Sequence, residues 1–98
     1  MILLADSGST NTQWRYQAAD GSISQVVTQG LNPWHLSNQA IEAVLINELT
    51  PQLPGPVEQL YFYGAGCTPG EATTRMQESL QTQFSLATIT VADDLLAA

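Results

Sequence analysis

The spacing of the strand-like segments constrains this chain more than any other feature. Three of them stand at the start with too few residues between them for a helix, and two more follow, each reached only through a stretch of helical spacing. Residues 2–5 are a short apolar run, Ile2-Leu3-Leu4-Ala5, which suits a central strand buried on both faces. Residues 12–18 alternate Trp14 and Tyr16 with polar neighbours, Asp20-Gly21 is a hairpin signal, and residues 23–29 form a third strand with Val26 and Val27 at its centre. Three strands so closely joined make an antiparallel meander. After Gly30-Leu31-Asn32-Pro33, the residues Leu36, Ala40, Ala43, Val44 and Ile46 recur at helical spacing, with Ser37 or Asn38 as N-cap. That helix must stop near Leu49, because Pro51, Pro54 and Pro56 follow. Residues 60–63 are the fourth strand, closed by Gly64-Ala65-Gly66. A second helix starts near Gly70 or Glu71 and carries Met76, Leu80 and Phe84, and residues 87–91 form the last strand, ending at Asp93-Asp94. The order is β-β-β-α-β-α-β. Right-handed crossovers then place the fourth and fifth strands parallel to the first, in a mixed five-stranded α/β sheet with the first strand central.

Ninety-eight residues, 44% of them hydrophobic, fit a single domain spanning residues 1–98. Nine acidic residues stand against Arg15 and Arg75, with no lysine, for a formal net charge of -7. A surface that acidic argues against a nucleic-acid partner. Cys67 is the single cysteine, so no intrachain disulfide can form and a reducing compartment is expected. No apolar stretch approaches the roughly 18 residues that span a bilayer, and no basic region opens the chain, so the expectation is a cytoplasmic protein without a membrane partner.

The first apolar run ends in Ala5-Asp6-Ser7-Gly8-Ser9-Thr10-Asn11-Thr12, and the residues alone allow two readings of this stretch. One is a phosphate loop: a glycine turn leaving a buried strand exposes backbone N–H groups, the hydroxyls of Ser7, Ser9, Thr10 and Thr12 add donors, and Asp6 at the strand end could hold a hydrated Mg²⁺. The other is a plain hairpin turn with Gly8 in the left-handed region and Asp6 capping its own backbone.

The segment "LLADSGSTNTQW" resembles the first phosphate loop of the actin-like ATPase and sugar kinase superfamily, with its apolar strand, Asp-x-Gly-x-Thr and second hairpin strand. Within it the chain is similar to the BadF/BadG-type ATPases and the N-acetylglucosamine kinases grouped with them. "QGLNPWHLS", "LYFYGAGCTPGEA" and "ITVADDLLAA" extend the resemblance over nearly the whole chain. Family members often carry Lys where Asn11 stands and Asp where Gln13 stands. The resemblance implies a ribonuclease-H-like half-domain and an ATP-dependent kinase or ATPase acting on N-acetylglucosamine or a related amino sugar. By the same resemblance Asp6 holds Mg²⁺ through water, Gly8, Ser9, Thr10 and Asn11 contact the terminal phosphates of ATP, and Asn32 contacts the sugar. Asp94, or Asp93 as second choice, takes the place of the base near the accepting hydroxyl. It also implies that a C-terminal half with the second phosphate loop and the adenosine site is absent, and that Leu95-Leu96-Ala97-Ala98 is the first turn of a helix cut short.

Bland readings stand beside several of these. Asp93-Asp94 equally suits a helix N-cap followed by a dipole-favoured acid, and Asn32 equally suits a turn before proline. Trp34 is expected to close the core rather than stack on a sugar, and Cys67 to be a small buried hydrophobe. His35 has no second ligand at metal-binding spacing. A different class of function is a self-standing ribonuclease-H-like module that binds a partner without catalysis. An apolar face left open by the missing half would favour homodimerisation.

Overall fold

The computed structural model describes residues 1–8, 10–18, 20–67 and 69–93. Five strands form one sheet in the order β3-β2-β1-β4-β5. They are β1 (Ile2–Ser7), β2 (Asn11–Gln17), β3 (Ile23–Gln29), β4 (Gln59–Gly64) and β5 (Thr88–Asp93). β1 is central, antiparallel to β2 and parallel to β4, and β5 is parallel to β4. The mixed sheet is therefore the one the element order calls for.

The β2–β3 hairpin closes through Asp20, whose carboxylate accepts from the Ser22 hydroxyl at 2.7 Å and the Ser22 backbone N–H at 2.9 Å, while Gly21 takes a φ of 88°. Those two bonds hold the Asp20 carboxyl below its usual 3.8. Their contribution to the turn is present above that value and fades as the pH falls through the lowered one.

Helix α1 (Asn38–Val44) is capped by Ser37, whose hydroxyl accepts from Ala40 N–H at 3.1 Å. It continues as a π-helical segment, Leu45–Leu49, and a 3₁₀ turn, Thr50–Gln52, where Pro51 ends the regular ladder. The buried stripe runs through Ile41, Val44, Leu45 and Leu49. Ala43 and Ile46, expected on that stripe, face solvent instead, because the line of closest contact lies one residue around the helix. Helix α2 (Glu71–Gln83) buries Ala72, Met76, Ser79 and Leu80.

The expectation that β1 is buried on both faces fails. Leu3, Ala5 and Ser7 are buried, whereas Ile2 is 44% and Leu4 46% exposed. The cause is topological. β3 to β4 and β4 to β5 are crossovers in the same direction across the sheet, and two right-handed crossovers in one direction lay both helices on one face. That face holds the core, with Trp14 and Phe62 tilted at 54° and 5.9 Å between ring centroids, surrounded by Leu3, Val26, Leu60 and Ile89. The opposite face is open and carries Ile2, Leu4, Ile23 and Val27.

Within the α2 core stripe, Ser79 Oγ is buried without a hydrogen-bond partner among the described residues. Replacing it removes a desolvated hydroxyl and adds a better helix former. Ser79→Ala is expected to raise stability by about 1 kcal/mol, read as a higher urea midpoint at unchanged slope.

Candidate functional site

Because β1, β4 and β5 are parallel, their C-terminal ends share one edge of the sheet, and the β1–β2 turn and the β3–α1 loop lie at the same edge. Ligands in sheets of this kind bind outside the carboxyl ends of the strands.

A chain of buried hydroxyls ties this edge together. Leu31 N–H donates to Ser7 Oγ at 3.0 Å, Ser7 and Thr12 hydroxyls meet at 2.7 Å, and Thr12 Oγ1 donates to the Gln29 carbonyl at 3.1 Å. Either hydroxyl can donate in the Ser7–Thr12 bond, since Ser7 Oγ also lies 3.5 Å from the Leu31 carbonyl and Thr12 has the Gln29 carbonyl as its other acceptor, so both protons have acceptors inside the protein. Ser7 and Thr12 are therefore not free donors for a ligand, a correction to their expected part in a phosphate loop. They fasten the β3–α1 loop beside the β1–β2 turn, helped by Gly30 N–H donating to the Thr10 carbonyl at 3.1 Å.

Gly8 does not adopt the left-handed conformation of the plain-turn reading; the positive-φ glycines among the described residues are Gly21, Gly66 and Gly70. A Cβ on Gly8 would meet only the Asn11 carbonyl at 3.7 Å, an ordinary contact. Its N–H donates to that carbonyl at 2.9 Å. The fold thus leaves open space over Gly8 without needing a glycine there. Thr10 and Asn11 are exposed, and their side chains carry no hydrogen bond among the described residues. Ser9 lies outside the described residues.

Asp6 projects from β1 onto the open face, where it lines a depression of about 210 Å³ with Gln13, Arg15 and Tyr63 over Leu4 and Ala5. Asp93 ends β5 at the same edge, in register with Gly64 and, through it, with Ser7. Strand alternation therefore points Asp93 to the helix-covered face and Asp6 to the open one. The edge is shared and the faces are not. Asp94 and the expected helical turn after it lie outside the described residues. Among the described residues no three His, Cys, Asp or Glu side chains converge as a metal site, and His35 is exposed.

This fold has a solved counterpart. A protein from Porphyromonas gingivalis, described as a "Putative N-acetylglucosamine Kinase", superposes with a TM-score of 0.85 and 35% sequence identity, over 96% of this chain and 34% of the other. The chain is similar to one part of that kinase-like protein. It spans about one third of the length of that neighbour. No protein-family model and no curated protein matches it. Among the described residues no helix is long and apolar enough to cross a membrane.

Asn32 lies across the edge from the β1–β2 turn. Its Oδ1 accepts from Trp34 N–H at 2.9 Å, and its carbonyl accepts from the N–H groups of His35 and Leu36 at 3.0 Å each. The turn reading is thus correct for the oxygen. The side-chain NH₂ has no partner among the described residues and stays available. Trp34 is 63% exposed and does not close the core, which Trp14 and Phe62 already fill. Gly66, with a φ of 81°, explains how the turn is placed: a Cβ there would stand 2.5 Å from Asn32 Oδ1 and 2.9 Å from Trp34 Cδ1. Cys67 is buried, as its small apolar character suggests.

The hydroxyl chain has a measurable consequence. Ser7→Ala leaves the buried Leu31 N–H without its acceptor and should cost about 1–3 kcal/mol in urea unfolding, with faster exchange of the Leu31 amide.

Proposed function

We propose that this domain is the nucleotide- and sugar-binding first part of an ATP-dependent kinase that phosphorylates N-acetylglucosamine or a related amino sugar. The observation that carries the reading is the gathering of Asp6, the Gly8–Asn11 turn, Asn32 and the end of β5 at one edge of a sheet that matches a kinase-like neighbour over 96% of the chain. On this reading, phosphates approach over Gly8, where a side chain would otherwise stand, and the contacts to them come from Gly8, Ser9, Thr10 and Asn11. Asp6 holds Mg²⁺ through water, and the ion screens phosphate charge. The Asn32 NH₂ binds the sugar, and Asp94, with Asp93 as second choice, accepts the proton of its hydroxyl. Asp93 projects to the helix-covered face, away from Asp6, and Asp94 stays the first choice on the family resemblance alone. Positioning and charge neutralisation dominate phosphoryl transfer, so these groups need a second wall to close on the substrate. That wall, with a second phosphate loop and adenine contacts, belongs to the rest of the complete kinase, whose surroundings are cytoplasmic.

A second reading draws on the open apolar face: a ribonuclease-H-like interaction module that pairs with a further copy of itself or another partner without catalysis. Sedimentation of the 98-residue chain separates the two in part, since a tight dimer with no response to Mg-ATP favours the module.

The kinase reading is tested in two steps. Alone, the chain should bind Mg-ATP at millimolar strength or weaker, about -4 kcal/mol at best, without turnover. Micromolar binding or transfer by the chain alone would show a complete site and end the half-domain reading. Grafted in place of the matching third of the Porphyromonas gingivalis protein, it should support transfer to N-acetylglucosamine wherever the parent does, and Asp94→Asn should abolish that transfer while the graft stays folded. An inactive, folded graft beside an active parent counts against the proposal.

A further inference from the structure

The β3–α1 turn that carries Asn32 and Trp34 is held from outside by a single side chain on α2. Arg75 donates from Nη1 to the Pro33 carbonyl at 2.6 Å, from Nη2 to the Leu36 carbonyl at 2.8 Å and from Nε to Asn38 Oδ1 at 3.0 Å. The guanidinium is half-buried and has no carboxylate partner among the described residues. A chain with two arginines and no lysine thus devotes one of its two cationic side chains to neutral acceptors of one turn. Charge-assisted donors in a rigid planar fork are the strongest fasteners of that kind, and a lysine cannot copy their geometry. The bonds bracket the segment. Pro33 and Leu36 lie on either side of Trp34 and His35, while Gly66 packs against Asn32 Oδ1 and the Trp34 ring from the β4–α2 loop. Held from both sides, the turn leaves an uncommitted Asn32 NH₂ and a largely exposed indole at the sheet edge.

We infer that Arg75 is a positioning residue for sugar recognition: it fixes the 33–36 turn in the form that presents the Asn32 amide and the Trp34 indole to a sugar ring, and touches no ligand itself. The inference rests on the sugar-kinase reading for the identity of the ligand and on the three bonds for the role of Arg75. A purely structural role, as a clasp between α2 and the start of α1, would run through Asn38 instead, and the two are separable.

N-acetylglucosamine is titrated into the ¹⁵N-labelled 98-residue chain, with the Asn32 NH₂ and Trp34 indole N–H resonances as reporters and Trp14 as internal control. Arg75→Met, and Arg75→Lys should the first fail to fold, is expected to weaken the sugar response about tenfold or more, and to speed exchange of the His35 and Leu36 amides by a similar factor. Asn38→Ala, which removes only the Nε bond, should keep both near wild type. The inference is overturned if Arg75→Met or Arg75→Lys responds to sugar like the wild type, or if Asn38→Ala loses as much as Arg75→Met. Should the isolated chain give no sugar response, the sugar readout moves to the graft in the Porphyromonas gingivalis protein, where the KM for N-acetylglucosamine should rise about tenfold in the Arg75 variants and stay near wild type in Asn38→Ala; an unchanged KM in the Arg75 variants, or unchanged His35 and Leu36 exchange rates, overturns the inference, whereas a wild-type graft without transfer beside an active parent overturns the sugar reading itself.

Discussion

Two buried hydroxyls, Ser7 and Thr12, set the relation between the strands and everything proposed to act at their ends. Both have no exposed surface, and each must spend its proton and its lone pairs inside the protein. The path from Leu31 N–H to the Gln29 carbonyl does so completely, and joins the first strand to the loop after the third across 24 residues of sequence. Gln29 is fastened twice more on the outer side, where its N–H and side-chain amide meet the Glu48 carboxylate at 3.1 and 3.0 Å. The β1–β2 turn and the Asn32 turn therefore cannot drift apart without leaving buried polar groups unpaired, a cost of about 1–3 kcal/mol for each.

The glycines of the edge divide by purpose on the same physical grounds. Gly66 has a φ of 81° and Asn32 Oδ1 where its Cβ would be, so protein packing accounts for it fully. At Gly64 a Cβ would come 2.5 Å from the Phe62 ring and 3.1 Å from Cys67 Sγ, again a demand of packing. Gly8 meets neither condition. A glycine that the protein's own geometry does not require, at the mouth of a parallel edge, is what close approach of a ligand to the backbone would call for.

Much of the fold was legible because it is written in periods. Strand alternation in "TQWRYQ", the Asp20-Gly21 turn and the proline stop after Leu49 each act locally, and the handedness of crossovers then fixes the sheet order. What escaped was decided by partners distant in sequence. The exposure of Leu4 follows from both helices landing on one face, which the apolar run Ile2-Leu3-Leu4 cannot express. Which hydroxyls of "DSGSTNT" serve the protein and which stay free is set by strand parity: Ser7 and Thr12 point inward, and Asn11 and Gln13 outward. That parity was available in principle once the strands were extended to Ser7 and Asn11, and ending β1 at residue 5 hid it. Trp34 follows the same logic, since the core volume that it was expected to fill is already taken by Trp14 and Phe62.

Charge economy explains the remaining asymmetry of the edge. The N-terminal ammonium lies 3.6 Å from Glu58 at the far end of the sheet, and Arg75 is committed to the carbonyls of one turn. Arg15 sits on the open face beside Gln13 and Asp6, two residues further along β2 from the turn than Gln13. No fixed cation among the described residues therefore stands at the β1–β2 turn itself. An anion held there would be neutralised by oriented amides and hydroxyls and by an ion that arrives with it, all of which weaken steeply in open water and strengthen once the edge is covered. On the proposed reading, such a site would gain most of its affinity when a second wall closed over it, and both affinity and timing would then depend on that closure.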